Sequence, residues 1–264
     1  MADMLLRHDP LQARLSRLVY LAHKFERELE ALVWRIRWKL RDFDGSRKPQ
    51  SVEDFRMESL KTIVISLVSR PDRRSRFTKA MNSFGYAAYE FLDAIDGRIN
   101  FPNLAAQKAA TKGCSESHRA GLERFSSDDF DAVMVCEDDI EFLRGKDQVE
   151  AVIEEFLKDS RLDVLCLSAR VRGRRIAISQ ELSIATRIVT GACYVVKPSA
   201  IEKLKKSFRE SSRRVSKGKK KAALDQHWRK VQRGSLFFAV PNQKTVKIVA
   251  GYSDIQGKFL PDVL

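Results

Sequence analysis

The chain has 264 residues, 44% of them hydrophobic and 32% charged, with only 12 glycines and 7 prolines, a balance that supports a packed core and excludes global disorder. Its longest apolar stretches, such as 63–68 and 132–136, are strand-length and fall far short of the roughly 20 residues that a membrane-spanning helix needs. The formal charge of +14 is unevenly placed, since residues 169–233 hold 19 Lys or Arg against 4 acids while the rest is near neutral, and a field so localised implies an anionic partner: nucleotide phosphates, a phosphorylated glycan, an acidic membrane or nucleic acid.

The opening MADMLLRHDPL lacks the basic head, apolar segment and small-residue cleavage site of a secretory signal, which predicts a cytoplasmic protein. From 11 to 39, Leu11, Leu15, Leu18, Ala22, Phe25, Leu29, Leu32 and Ile36 alternate spacings of four and three, which predicts an amphipathic helix. Arg14, Arg17, Lys24, Arg27, Arg35, Arg37 and Arg41 give it a basic opposite surface. The leading reading packs the stripe on the protein's own core or on a second copy in a homodimer; the other lays the helix on an anionic membrane face as a peripheral contact. Residues 42–51, DFDGSRKPQS, read as a linker, so the chain divides into a helical extension over 1–50 and a main domain over 51–264.

In the main domain, TIVISLV at 62–68 is a buried-strand pattern, and Pro71 in SRPDRRSRF suits the first turn of a following helix. Strands are predicted over 89–95, 131–136, 163–168, 184–189 and 193–196, and helices over 113–125, 148–157 and 199–208. This alternation predicts an α/β fold with a mixed sheet flanked by helices. SSRRVSKGKKK at 211–221 has no apolar periodicity and is predicted to be a loop, part of a basic loop over 203–221. Cys114, Cys136, Cys166 and Cys193 are widely spaced with no CxxC pair, the pattern of reduced buried thiols.

The sharpest local feature is DAVMVCEDDI at 131–140, an apolar strand that ends in Glu137, Asp138 and Asp139. Strand ends are where open α/β sheets bind ligands, and hard oxygen donors there suit Mn²⁺ or Mg²⁺; the same acids can also simply solvate a turn. The chain further reads, in order, ISLVSRPDRR, AIDG, GCSESH, CEDDI, TGACYVVKPSAIEKL and LDQHW. That order over residues 61–255 resembles glycosyltransferase family 25, the family of lipooligosaccharide galactosyltransferases. Gly113, Cys114, Ser117 and His118 meet its GCxxSH block, Glu137, Asp138 and Asp139 its acidic block, Gly191 and Tyr194 its small-residue Tyr block, Asp225 its late Asp, and Ser253, Asp254 and Ile255 its C-terminal Ser-Asp-Ile.

The resemblance implies a GT-A-like Rossmann-type fold and an inverting transfer of a sugar, with UDP-hexose the expected donor. The expected acceptor is a glycan or glycolipid of lipopolysaccharide or surface-polysaccharide synthesis. It implies substrate binding by Ser66, Arg73, Asp96, Gly97, Ser117, His118 and Gly191, and a divalent metal at Glu137, Asp138 and Asp139. Asp225 is the expected general base, with capping of a helix near Gln226 as its plain structural reading. His227 either ligates metal or packs beside Trp228. Two competing functions stand beside this one. A nucleic-acid-binding protein built on 169–233 lacks zinc-finger spacing and an aromatic-rich RNA-binding block, so no nucleic acid is expected. An inactive glycosyltransferase-like scaffold is permitted by Ser66 and Val68, which stand where the family carries Asn and Asp.

Overall fold

The structure, a computed structural model, describes residues 10–41, 55–219 and 222–262. The chain divides into two compact units, Met1–Ser46 and Arg47–Leu264. In the first, α1 (Pro10–Arg41) is the helix that the Leu-rich register predicts. Of the described stripe, Phe25, Leu29, Leu32 and Ile36 are exposed in the single chain and so do not pack on its own core, whereas Ala31, Trp34 and Trp38 are buried. Positions 31, 34 and 38 share a second helical face, on which Arg37 stacks over the Trp34 ring. The side chains of Leu11, Leu15 and Leu18 lie outside the described residues, as does the whole 42–51 linker.

The second unit opens with β1 (Leu60–Ser66), α2 (Pro71–Phe84), β2 (Glu90–Asp93), α3 (Gly97–Asn100) and α4 (Ala106–Glu123). Then come β3 (Ala132–Glu137), β4 (Ile140–Phe142), α5 (Lys146–Lys158), β5 (Val164–Cys166), β6 (Arg170–Val171), β7 (Arg175–Ala177), β8 (Leu182–Ala185), β9 (Ile188–Val189) and β10 (Cys193–Val196). It closes with α6 (Pro198–Ser216), α7 (Leu224–His227), α8 (Arg229–Gly234), β11 (Phe238–Pro241), β12 (Val246–Ile248), β13 (Gly251–Ser253) and β14 (Lys258–Leu260). Eight strands form one mixed sheet in the order β2-β1-β3-β10-β5-β11-β8-β7. Strands β1, β2 and β3 run parallel, and β10 enters antiparallel between β3 and β5. The architecture is thus the mixed α/β sheet flanked by helices that the alternation predicts.

Local chemistry accounts for the elements. The β-branched run of β1 and the AVMVC run of β3 are buried almost throughout, as strands covered by helices on both faces must be. Pro71 starts α2, and Gly85 ends it in the left-handed region at φ +81°, where a residue without Cβ carries no steric cost. Trp228 is buried completely; its indole N–H donates to the Ile188 carbonyl at 3.0 Å while its ring meets Tyr194 and Phe238 edge-on.

Two boundaries differ from the sequence reading. The predicted loop at 211–221, and with it the basic loop over 203–221, is largely helix, because α6 runs to Ser216. Its inner face at Ser207, Ser211 and Ser212 is small and polar, so the apolar periodicity disappears although the burial does not. The Ser211 hydroxyl lies 2.9 Å from that of Ser115 on α4 and donates to the Ala222 carbonyl at 2.6 Å. The predicted strand 184–189 is cut in two at Arg187, whose φ of +55° turns the chain from the main sheet into the β6–β9 ribbon.

Candidate functional site

The C-terminal ends of β1, β2 and β3 open on a cavity of about 180 Å³. The polar end of each strand follows from its sequence: β1 finishes in Ser66, and β3 runs into Glu137, Asp138 and Asp139. Ser66, Arg73, Asp96, Gly97, Ser117, His118 and the three acids all line this cavity, together with Ser253, Asp254 and Ile255. A second and larger cavity of about 690 Å³ adjoins it and shares Arg73, Cys114, Glu137, Asp139, Ser253 and Ile255. Gly191 and Asp225 line only this second cavity. The two spaces therefore meet at the acidic end of β3.

The three acids are not equivalent. Asp138 is buried and engaged on both oxygens, by the Ser66 hydroxyl at 2.7 Å and by Arg73 at 3.0 Å. Burial raises its pKa. Asp139 has one oxygen 3.4 Å from Arg73, while its buried Oδ1 finds no hydrogen-bond partner. Burial, reinforced by the Glu137 charge, pushes its carboxyl up to about 7. Burial works in the same direction on Glu137, but the His118 hydrogen bond, with His118 and Arg73 close by, outweighs it and holds that carboxyl below its ordinary value. An orphaned buried carboxylate oxygen beside an ionised neighbour is a donor set that a hard divalent cation fits.

His118 is held from both sides, with Nδ1 3.0 Å from the Tyr194 hydroxyl and Nε2 3.3 Å from Glu137, an arrangement that orients the carboxylate. Cys114, His118 and Glu137 offer ligand atoms within 4.8 Å of one another. A sulfur and an imidazole are soft donors that do not suit Mn²⁺ or Mg²⁺, and burial, with the charges of Glu137, Asp225 and Asp139, pushes the Cys114 thiol up and keeps it protonated.

Several predicted binding residues have an evident packing role. The Ser117 hydroxyl accepts from the Ile95 N–H and donates to the Gly113 carbonyl, both at 2.8 Å. Asp96 caps α3 by accepting from the Arg98 N–H. A Cβ on Gly97 would lie 1.8 Å from the Ala109 carbonyl oxygen, and one on Gly113 2.4 Å from that of Ile95, so the two glycines let α3 and α4 touch backbone to backbone. Asp225 sits inside the first turn of α7, whose N-cap position is Ala223, and its carboxylate accepts from the Gln226 N–H, so it serves the start of this helix from one turn inside rather than from the cap position. Burial raises its pKa. His227 is buried with Nδ1 3.3 Å from the Ser207 hydroxyl. Gly191 lies against Leu224 and Trp228.

Sequence reasoning missed the clasp over the smaller cavity. The β13–β14 hairpin is tied down at its first strand and its connecting turn by three arginines: Arg70 to Asp254 at 2.8 Å, Arg98 to the Asp254 carbonyl at 2.8 Å, and Arg73 to the Tyr252 carbonyl at 2.5 Å. The Ser-Asp-Ile block marked Asp254, but partners more than 150 residues away leave no local signal. It also missed Arg170, Arg172 and Arg229, which line the larger cavity.

No curated protein matches the chain at a significant level. Among solved structures, the crystal structure of A197 from STIV is similar with a TM-score of 0.42 and 13% identity, over 76% of this chain and 94% of that one. The sequence model of glycosyltransferase family 25 (LPS biosynthesis protein) matches residues 59–217, more than half of the chain, from β1 through the GCSESH helix and the acidic end of β3 to the last turn of α6. The chain therefore belongs to glycosyltransferase family 25, and it is a glycosyltransferase, an enzyme of a family that takes a nucleotide-sugar donor and a glycan acceptor.

Proposed function

We propose that the protein transfers a hexose from UDP-hexose to a glycan acceptor of lipopolysaccharide or surface-polysaccharide synthesis, with inversion at the sugar carbon and assistance from Mn²⁺ or Mg²⁺. In this reading the smaller cavity takes the nucleotide diphosphate and the larger one the acceptor. The observation that carries it is the meeting of the two cavities at Glu137 and Asp139, with Asp225 lining only the acceptor side. The acceptor hydroxyl attacks the anomeric carbon, the carbon–oxygen bond to the diphosphate breaks, and the hydroxyl proton passes to Asp225. Its raised pKa keeps Asp225 a better proton acceptor than an exposed aspartate.

Glu137 and Asp139 would hold the cation, which when bound supplies positive charge to the leaving diphosphate. Asp138 serves differently: fixed by Ser66, it holds Arg73 at the mouth shared with the donor. Asp225 lies outside the residues matched to the family, so its role rests on the cavity geometry.

Transfer from a panel of UDP-sugars, assayed with Mn²⁺ and with EDTA, tests the reading. Asp225→Asn should leave UDP affinity intact and lower turnover by about two to four orders of magnitude. Full activity in that variant would remove Asp225 from the reaction, and equal UDP binding with Mn²⁺, with EDTA and in Asp139→Ala would remove the metal.

A further inference from the structure

The larger cavity holds positive charge that the transfer reaction leaves unused. Arg170 belongs to β6, and Arg172 extends the same ladder by donating its N–H to the Arg187 carbonyl at 3.2 Å. Residues two apart on a strand leave from the same face, and both side chains line the cavity. Arg229 lines it too, four residues after Asp225, a helical spacing that puts both on one side. The cavity's other charges are largely satisfied: Arg73 pairs with Asp139, and Glu137 is hydrogen-bonded to His118. That leaves three guanidinium groups against the single carboxylate of Asp225.

The guanidinium groups themselves are short of anions. Among the described residues Arg170, Arg172 and Arg229 form no ion pair, and the Arg229 Nε is buried without a hydrogen-bond partner. Burial, with the charges of Arg233, Arg187 and Arg172, holds the Arg229 guanidinium below its ordinary pKa. A buried donor left unsatisfied is costly, and a doubly charged ligand with several acceptor oxygens removes that cost.

We propose that Arg170, Arg172 and Arg229 bind a phosphate group carried by the acceptor, so that the substrate is a phosphorylated glycan and not a neutral one. The inference rests on the reading of this cavity as the acceptor side. Guanidinium forks match phosphate oxygens in pairs. Three of them offer more donors and more charge than one carboxylate can use, which favours a phosphate over a uronic acid.

The test is calorimetric titration of the full chain, in the presence of saturating UDP, with glucose 6-phosphate, glucose and glucuronate as probes. Glucose 6-phosphate should bind about tenfold or more tightly than either of the others. Arg172→Gln, at an exposed position that should not disturb folding, and Arg229→Gln should each weaken it by about fivefold or more. Lys203→Gln removes the same charge from the exposed side of α6, outside the cavity, and should change nothing. Equal binding of phosphorylated and neutral sugar, or of glucuronate, would overturn the proposal. So would a parallel loss of UDP affinity in the arginine variants, which would assign these residues to the donor's diphosphate. Failure of the wild-type chain to bind UDP would defeat the donor-side reading on its own, because the sugar phosphate titration also reads without UDP.

Discussion

Asp225 combines two demands that oppose each other. Burial raises its pKa, so the folded state favours the protonated form more than the unfolded chain does. The resulting penalty is absent below the ordinary aspartate range and is fully present once the pH exceeds the raised value. Asp225→Asn does not titrate. It should therefore melt at a higher temperature than the wild type at neutral pH, with the advantage shrinking as the pH falls toward the ordinary aspartate value, while turnover collapses at every pH. A melting series by circular dichroism checks it, and an advantage that grows toward acid pH would contradict the assigned burial. At this scale the sequence was informative about identity and poor about role. The acids after β3 and the GCSESH block were visible as motifs, whereas the engagement of Asp138 by Ser66 and Arg73 depends on side chains that only the sheet brings together. Gly113 belongs to the GCxxSH block, and what the structure shows of it is the close approach of the α4 backbone to Ile95.

Among the elements, α6 is where local pattern and tertiary packing part most clearly. Serines face inward because α4 comes close, and small hydroxyls can satisfy one another across the gap. Period-based reading detects large apolar side chains and is blind to an interface of this kind. Ser211→Leu should thus overpack the α4–α6 interface and cost about 1–3 kcal/mol, measured by urea denaturation. Arg213→Ala, whose partner Glu210 lies on the same exposed surface, should leave the midpoint unchanged. If both substitutions were silent, residues 211–216 would be the loop that the sequence suggested. The basic character of 169–233 was legible as a sum, but β6 is too short for its alternation to show which arginines face the site. For α1 the heptad register gave the helix correctly, and the exposure of Phe25, Leu29, Leu32 and Ile36 was not readable, since apolar spacing reports a face and not what covers it.

For the whole molecule, the parallel β1–β3 region and the mixed β5–β11–β8–β7 region are joined through a single strand. β10 hydrogen-bonds to β3 on one side and β5 on the other, while β7 ends the sheet with only β8 beside it. Proline removes a ladder donor and is tolerated only at edges. Val195→Pro on β10 should therefore abolish soluble folding. Ala177→Pro on β7 should be accepted, because the backbone bonds that flank β7 fall at Arg174 and Ile178, and in an antiparallel pair the bonded residues alternate, which leaves the Ala177 N–H facing outward. Size-exclusion profiles of the two variants decide it, and similar profiles would mean that β10 does not join the halves.

The position of β10 also sets an order of events at the ribosome. Cys136 on β3 waits 57 residues for its neighbour Cys193, an interval on the order of 3–10 s at ordinary rates of synthesis. During that interval the growing chain presents an uncharged strand edge, AVMVC, of the kind that pairs with other chains. Its safe passage depends on how quickly translation delivers residues 193–196, so slow codons or a stalled ribosome between 140 and 190 would convert nascent chains into aggregates while leaving the finished protein's stability untouched.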